Sequence, residues 1–162
     1  MARARPGADL LVLIAAAGAG MAIAAYLTVV HYAHIPLACS VTGVVNCAEV
    51  TQSSYSVMPG TSVPVTVPGM IWFAVSGLLA GLAVRATANG RREPRRLRGA
   101  HLAWSLAGLA AVLYLVYAEV VVIHRICEWC TAVHALILIT VLLSLARAQR
   151  MAPSDGLTGA DQ

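Results

Sequence analysis

Charged side chains are scarce in this sequence, and lysine is absent altogether. Charged residues make up 11% of the 162 residues and hydrophobic residues 59%, whereas a soluble domain has about 25% charged residues. This composition excludes an ordinary soluble domain and indicates a protein embedded in a lipid bilayer. The net charge of +4 does not indicate a nucleic-acid partner, and none is predicted. The arginines cluster at the ends of apolar runs, where they orient a chain in a membrane.

The sequence also lacks an internal repeat, and its length allows a single domain. Four apolar stretches are long enough to cross a bilayer, which takes about 17–25 residues. The predicted spans cover about 10–30, 66–86, 99–123 and 127–147. We therefore predict an all-α integral membrane protein, a four-transmembrane-helix bundle over residues 1–150 with an outer loop over 31–65. Residues 151–162 are polar and are predicted to form a disordered cytoplasmic tail.

The distribution of arginine predicts the orientation of the spans. With four crossings, all arginines fall on one side of the membrane except Arg125. Because basic residues are enriched on the cytoplasmic side, we expect both termini in the cytoplasm and the 31–65 loop outside. A cleaved signal peptide is the alternative at the N-terminus, since Arg3 and Arg5 precede an apolar core and the segment AIAAY. The uncharged run exceeds a typical signal core of about 7–15 residues, which favours an uncleaved helix.

All four cysteines fall on the predicted outer side, where the compartment is oxidising. Cys39 and Cys47 lie in the loop, while Cys127 and Cys130 form a CxxC motif at the start of the fourth span. Three interpretations are open: two structural disulfides, a metal site that adds histidines to the CxxC motif, or redox exchange. A metal site is disfavoured and none is predicted, because zinc ligands need mutually reachable positions and this pair opens a membrane helix. The available histidines are His31, His34, His124 and His134.

The position of the CxxC motif favours redox exchange. The N-terminus of a helix stabilises a thiolate, which lowers the pKa of the cysteine and makes it competent for disulfide exchange. A second cysteine pair on a loop above the motif is suited to relay a disulfide outward. The combination of a CxxC motif at the outer end of a span with a loop pair is therefore a stronger signal than the motif alone.

The residues around the cysteines resemble the bacterial branch of the vitamin K epoxide reductase family. The loop resembles the family's loop over CSVTGVVNCAEVTQSSYSVMPGTSVPVTVPG, and the third helix leads into the CxxC motif through YLVYAEVVVIHRICEWCTAVHA. The resemblance extends over roughly residues 10–146. It implies a four-helix core with a cysteine pair in the loop after the first helix and a CxxC motif opening the fourth. Because the chain ends soon after the fourth span, we expect a thioredoxin-fold partner to act in trans.

The resemblance implies a thiol:quinone oxidoreductase of the bacterial cell membrane that supports disulfide-bond formation. A secreted, DsbA-like protein of the thioredoxin fold would attack the loop disulfide at Cys39, and the released Cys47 would attack Cys127. Cys130 would then face the ring of a membrane quinone, either menaquinone or ubiquinone. The helix geometry agrees, since Cys130 lies about 4.5 Å deeper than Cys127 at 1.5 Å per residue.

Two ionisable residues are predicted to meet the quinone. His134 shares a helix face with Cys130 one turn deeper, and Glu119 lies in the outer part of the third span, where an ionisable side chain is costly. Either side chain is able to hydrogen-bond or protonate a quinone oxygen. The alternatives are a helix–helix hydrogen bond for His134 and, for Glu119, either snorkelling to the membrane surface or pairing with Arg125.

Four further residues are predicted to belong to the quinone site, two from the resemblance to the family's pocket and two from the loop above it. Trp72 and Phe73 near the start of the second span line the family's pocket, although they also fit an interfacial aromatic belt. Val50 and Ser53 fall in a segment predicted to form a short lid helix over residues 48–58. Ser53 matches the family's loop serine, and the lid would exclude water from the pocket.

Two departures from the animal members of the family argue against vitamin K epoxide as a substrate and leave a quinone acceptor open. The animal enzymes have a tyrosine where this sequence has His134, and an asparagine in the neighbourhood of Val65. Two alternative functions stay open. One is reduction of a quinone or of vitamin K epoxide for its own sake, and the other is a non-catalytic membrane scaffold with two structural disulfides.

Overall fold

Four long α-helices make up most of residues 7–150, the part of the chain that this computed structural model describes. The long helices are α1 (Ala8–Ala33), α3 (Thr66–Ala88), α4 (Arg95–Tyr117) and α5 (Glu128–Gln149), and a short helix, α2, spans Cys47–Thr51. Within the described residues the backbone forms no β-strand, only two isolated bridges. The predicted all-α bundle is therefore confirmed, while the predicted tail, 151–162, lies outside the described residues.

Each of the four long helices is long enough and apolar enough to cross a bilayer. Large apolar side chains cover their outward faces, among them Leu78 of α3, Leu113 of α4 and Leu142 of α5, all of which are exposed. A continuous apolar surface of this kind marks a membrane or protein interface. Together with the four spans, it identifies the chain as a multi-pass membrane protein.

The long helices close into a ring in which α1 packs on α3, α3 on α4, α4 on α5 and α5 on α1. Glycines permit the closest approaches: a side-chain carbon at Gly20 of α1 would overlap the Phe73 ring, and one at Gly108 of α4 would overlap Trp72. Trp72 and Trp104 also join α3 to α4, because each indole N–H donates to the other residue's backbone carbonyl, at 3.0 and 3.1 Å. Small residues at such contacts are typical of membrane helices.

The end of α4 widens into a π-helical segment, Ala118–Ile123. His124 follows in the left-handed conformation, with φ of 56°, and turns the chain directly towards the CxxC motif. The segment buries Glu119 on its inward face. Single π-helical turns are rare and occur frequently at functional sites.

The connection from α1 to α3 covers one end of the bundle, which we call the loop end. Asn46 caps α2 by accepting a hydrogen bond from the Glu49 backbone N–H at 3.2 Å. The helix is shorter than the predicted 48–58 lid, because α2 ends at Thr51 and a 3-10 turn follows over Ser54–Ser56. Ser53 between them has extended backbone, and its hydroxyl donates to the Val50 carbonyl at 2.7 Å. Local bonds of this kind compete with helical hydrogen bonding.

Candidate active site

The four cysteines all lie at the loop end and form a series from the surface to the bundle interior. Cys39 and Cys47 are joined in a disulfide, while Cys127 and Cys130 are free thiols. Cys39 is half-buried, whereas Cys47 and Cys127 are both 0% exposed and pack in one cluster with Val50. The loop pair and the CxxC pair are thus brought together, with Cys47 of the loop and Cys127 of the CxxC motif packed in the same buried cluster.

Main-chain hydrogen bonds hold the loop against the segment that carries the CxxC motif. The Asn46 N–H donates to the Ile126 carbonyl at 3.1 Å, and the Ile126 N–H donates to the Val44 carbonyl at 3.0 Å. These bonds form an isolated parallel bridge between Val45 and Ile126. Residues 44–46 and 126 flank Cys47 and Cys127 directly, so the bridge sets the position of both sulfurs.

Side chains add further ties between the two segments. The Trp129 indole N–H donates to the Ala38 carbonyl at 2.7 Å, and the Arg125 Nε donates to the Glu49 carboxylate at 3.0 Å. Trp129 also packs its ring against Tyr26 of α1, with 5.1 Å between ring centroids. The loop is therefore fixed on both sides of its disulfide.

Cys127 precedes the first residue of α5 and acts as its N-terminal cap. Its sulfur accepts a hydrogen bond from the Cys130 backbone N–H at 3.4 Å. A hydrogen bond from the Cys130 thiol lowers the pKa of Cys127 from its ordinary value, and the nearby backbone N–H groups act in the same direction. This environment favours a thiolate at Cys127 when the pair is reduced.

A cavity of about 490 Å³ opens beneath the loop, and all four long helices contribute to its walls. Its volume lies in the range of about 300–1,000 Å³ that is typical of small-molecule sites. The walls are predominantly apolar, with Trp72, Trp104, Val112 and Ile137 among them. A few polar side chains and the Cys130 sulfur lie at its loop end, so the cavity suits a flat, apolar ring with polar atoms at its edge.

Three of the polar residues that line the cavity, Cys130, Glu119 and His134, lie on α5 or on the π-helical turn before it. Glu119 and His134 are both buried, and the Glu119 carboxyl lies beside the Cys130 thiol and the Cys127 backbone N–H. The alternative pairing of Glu119 with Arg125 is not found, since Arg125 binds Glu49 instead. The π-helical turn directs the Glu119 side chain towards the sulfurs.

The structure brings most of the predicted quinone-binding residues to this cavity. Val50, Ser53 and Trp72 line it together with Glu119 and His134. Phe73 does not, because its ring is 1% exposed and packs against Gly20 in the core between α1 and α3. Adjacent residues on a helix point about 100° apart, so Trp72 and Phe73 face different partners.

Several lining residues were not expected from the sequence, Trp104 and Tyr114 of α4 and Tyr55 of the loop among them. On α4 the lining residues recur every three or four positions from Trp104 to Glu119. Helical spacing counted back from Glu119 therefore places Trp104 on the same face of the helix. The lining residues of α4 and its π-helical extension are Trp104, Ala107, Gly108, Ala111, Val112, Tyr114, Leu115, Ala118, Glu119 and Ile123. No local signal marks Tyr55, which reaches the cavity only because the loop folds over the bundle.

Comparison with known proteins adds one match. Residues 11–145 fit the sequence model of the vitamin K epoxide reductase family, and these residues include all four cysteines and every residue of the cavity named above. None of the curated proteins compared with the chain matches it.

Proposed function

This chain belongs to the vitamin K epoxide reductase family, whose members are membrane oxidoreductases, and we propose that it is a thiol:quinone oxidoreductase. It reoxidises a secreted protein of the thioredoxin fold and passes the electrons to a membrane quinone, and so supports disulfide-bond formation. The observation that carries the proposal is the series of sulfurs. The loop disulfide begins at the half-buried Cys39, its buried partner Cys47 packs in one cluster with Cys127, and Cys130 lines an apolar cavity.

The relay proceeds by two thiol–disulfide exchanges. A thiolate of the reduced partner attacks Cys39, which breaks the Cys39–Cys47 bond and frees Cys47. Cys47 attacks Cys127 of the Cys127–Cys130 disulfide and releases Cys130 as a thiolate. The partner's second thiol then frees Cys39, which attacks Cys47 and releases Cys127. The loop disulfide is re-formed and the CxxC pair is reduced, which is the arrangement of bonds described above.

The acceptor end of the relay is the cavity around Cys130. A bound quinone supplies a two-electron acceptor, and its oxygens take up two protons as the Cys127–Cys130 disulfide re-forms. Glu119 and His134 lie where they are able to hold or deliver those protons. Trp72 forms a wall for the ring, while Val50 and Ser53 form the cover that excludes water. Phe73 supports this wall through its packing on Gly20.

A direct test combines the purified protein with a reduced thioredoxin-fold thiol oxidase and a short-chain menaquinone or ubiquinone. We expect quinone absorbance to fall as the partner becomes oxidised, with one quinone consumed per partner disulfide, because each carries two electrons. A scaffold with two structural disulfides would leave both reactants unchanged. Consumption of vitamin K epoxide in preference to either quinone would support the reductase alternative and contradict our assignment of the acceptor.

We further propose that the loop end faces the outside of a bacterial cell membrane and that both termini are cytoplasmic. Every arginine within residues 7–150 except Arg125 lies at the opposite end of the bundle, and basic residues favour the cytoplasmic side. A reporter that is active only in the cytoplasm should work when it is fused after Arg92. A periplasmic reporter that works at the same site would contradict the orientation.

A further inference from the structure

A second cavity lies at the end of the bundle away from the cysteines, which we call the arginine end. It has a volume of about 400 Å³, again within the range of about 300–1,000 Å³ for small-molecule sites. All four long helices or their connections contribute to its walls. Its charged lining residues are Asp9, Arg92, Glu93, Arg98, Arg147 and Arg150.

The inner wall of this cavity is a fixed network of ion pairs. Arg147 is 7% exposed and Glu93 8%, and Arg147 donates to the Glu93 carboxylate at 2.6 Å and to the Asp9 carboxylate at 3.1 Å. Arg98 donates to the same Glu93 oxygen at 3.0 Å and to the Arg147 backbone carbonyl at 3.3 Å. The two acidic side chains are thus neutralised by Arg98 and Arg147.

Two arginines of the lining, Arg92 and Arg150, carry the positive charge that this network does not neutralise. Arg92 and Arg150 are exposed, and neither forms an ion pair with another residue of the 7–150 range. The four arginines and two acids of the lining leave a net charge of +2 at the mouth. An arginine guanidinium binds phosphate oxygens through paired N–H donors, and Arg92 and Arg150 are the lining arginines that no ion pair within residues 7–150 occupies.

We propose that this cavity binds a phosphate-bearing anion, either the phosphate of an anionic lipid headgroup or free phosphate. Arg92 and Arg150 contact the phosphate oxygens, and the Asp9–Arg147–Glu93–Arg98 network holds the pocket open beneath them. Basic pockets between membrane helices are suited to anionic headgroups. Because the lining comes from all four long helices or their connections, the bound anion links the helix ends and stabilises the bundle. The site is independent of the cysteines and of the function proposed for them.

The test uses the full-length protein in detergent micelles that contain phosphatidylcholine. Phosphatidylglycerol is titrated in one arm and inorganic phosphate in the other, and the unfolding temperature is followed by tryptophan fluorescence. We expect at least one of these ligands to raise the unfolding temperature. Protection by phosphatidylglycerol alone identifies a lipid site, and equal protection by inorganic phosphate identifies a site for the free anion.

Two double variants distinguish binding in the cavity from a nonspecific effect of positive charge at this end of the bundle. Arg92→Gln with Arg150→Gln should weaken binding by about 25-fold, because each arginine near an anionic group contributes roughly a fivefold gain in affinity. Arg95→Gln with Arg96→Gln removes the same charge from exposed positions outside the cavity and should leave binding nearly unchanged.

A second measurement is native mass spectrometry, which should show a retained phosphatidylglycerol or phosphate on the wild type and on Arg92→Lys with Arg150→Lys. This readout does not depend on the stability of the glutamine variants. The proposal is overturned if neither ligand protects or is retained by the wild type, or if the Arg95 and Arg96 control loses as much binding as the Arg92 and Arg150 pair.

Discussion

Cys130→Ala should abolish quinone reduction regardless of whether the electrons come from the protein partner or from a small dithiol. The reason is that Cys130 is the only cysteine whose sulfur lines the cavity. Without this sulfur, the CxxC pair is unable to form the disulfide through which electrons reach the quinone. The measurement is quinone absorbance under both electron donors, and the expected loss is complete with each.

Cys39→Ala provides the contrast. It should abolish turnover with the protein partner, because the surface disulfide is lost, but leave part of the turnover with a small dithiol that reaches Cys127–Cys130 directly. If Cys39→Ala and Cys130→Ala give the same result with the dithiol, the proposed order of the relay is wrong.

The variant Cys130→Ser provides a chemical test of the proposed order of the relay. Serine leaves Cys127 without its own partner, so its thiolate should attack Cys47, break the Cys39–Cys47 bond and release Cys39 as a thiol. The resulting Cys47–Cys127 disulfide should accumulate and be visible by peptide mapping under non-reducing conditions. The packing of Cys47 against Cys127 in one buried cluster makes this bond geometrically accessible. Recovery of the Cys39–Cys47 bond alone would mean that the loop sulfur does not reach the CxxC pair.

His134→Ala should slow quinone turnover by about 10²–10⁴-fold if His134 supplies a proton, since general acid catalysis is typically worth that much. Exchange between the partner and the cysteines should be nearly unchanged, because His134 lies deeper in the cavity than Cys130. Rapid mixing separates the two steps by following partner oxidation and quinone absorbance independently. His124→Asn is the matched control, since that histidine is exposed and outside the cavity and asparagine tolerates its left-handed backbone.

Replacement of Glu119 distinguishes a hydrogen bond from proton delivery. Glu119→Gln should be less harmful than Glu119→Leu if the carboxyl only accepts or donates a hydrogen bond, and equally harmful if it must release a proton. Glu128→Gln, at an exposed position next to the same cysteines, controls for the loss of charge. Full quinone turnover in folded His134→Ala and Glu119→Leu would mean that neither residue takes part in the quinone step and that both only contribute to packing.

The four-helix bundle is predictable because each span is encoded locally. Apolar runs of sufficient length, interrupted by clustered arginines, require no knowledge of distant contacts. The cysteines are predictable for the same reason, since a CxxC motif at the start of an apolar run is a local pattern. His134 follows from Cys130 by helical spacing alone.

The remaining features depend on long-range contacts or on unusual backbone geometry. Nothing in the sequence marks the π-helical turn that directs Glu119 inward, or the left-handed His124 that follows it. The apposition of Cys47 and Cys127 depends on a two-bond bridge between segments far apart in the chain. Trp72 and Phe73 look equivalent in sequence. In the structure, however, Trp72 packs against Gly108 of α4, whereas Phe73 packs against Gly20 of α1.

The bridge between residues 44–46 and Ile126 has a consequence for how this protein diverges. Both hydrogen bonds use main-chain atoms only, and every amino acid except proline offers the N–H groups they need at positions 46 and 126. The side chain of Val44 is exposed, so it is free to change without moving the sulfurs beneath it. The surface proposed to meet a partner protein can therefore change in sequence without moving the proposed internal route for electrons, so that partner choice and electron transfer would be separately adaptable.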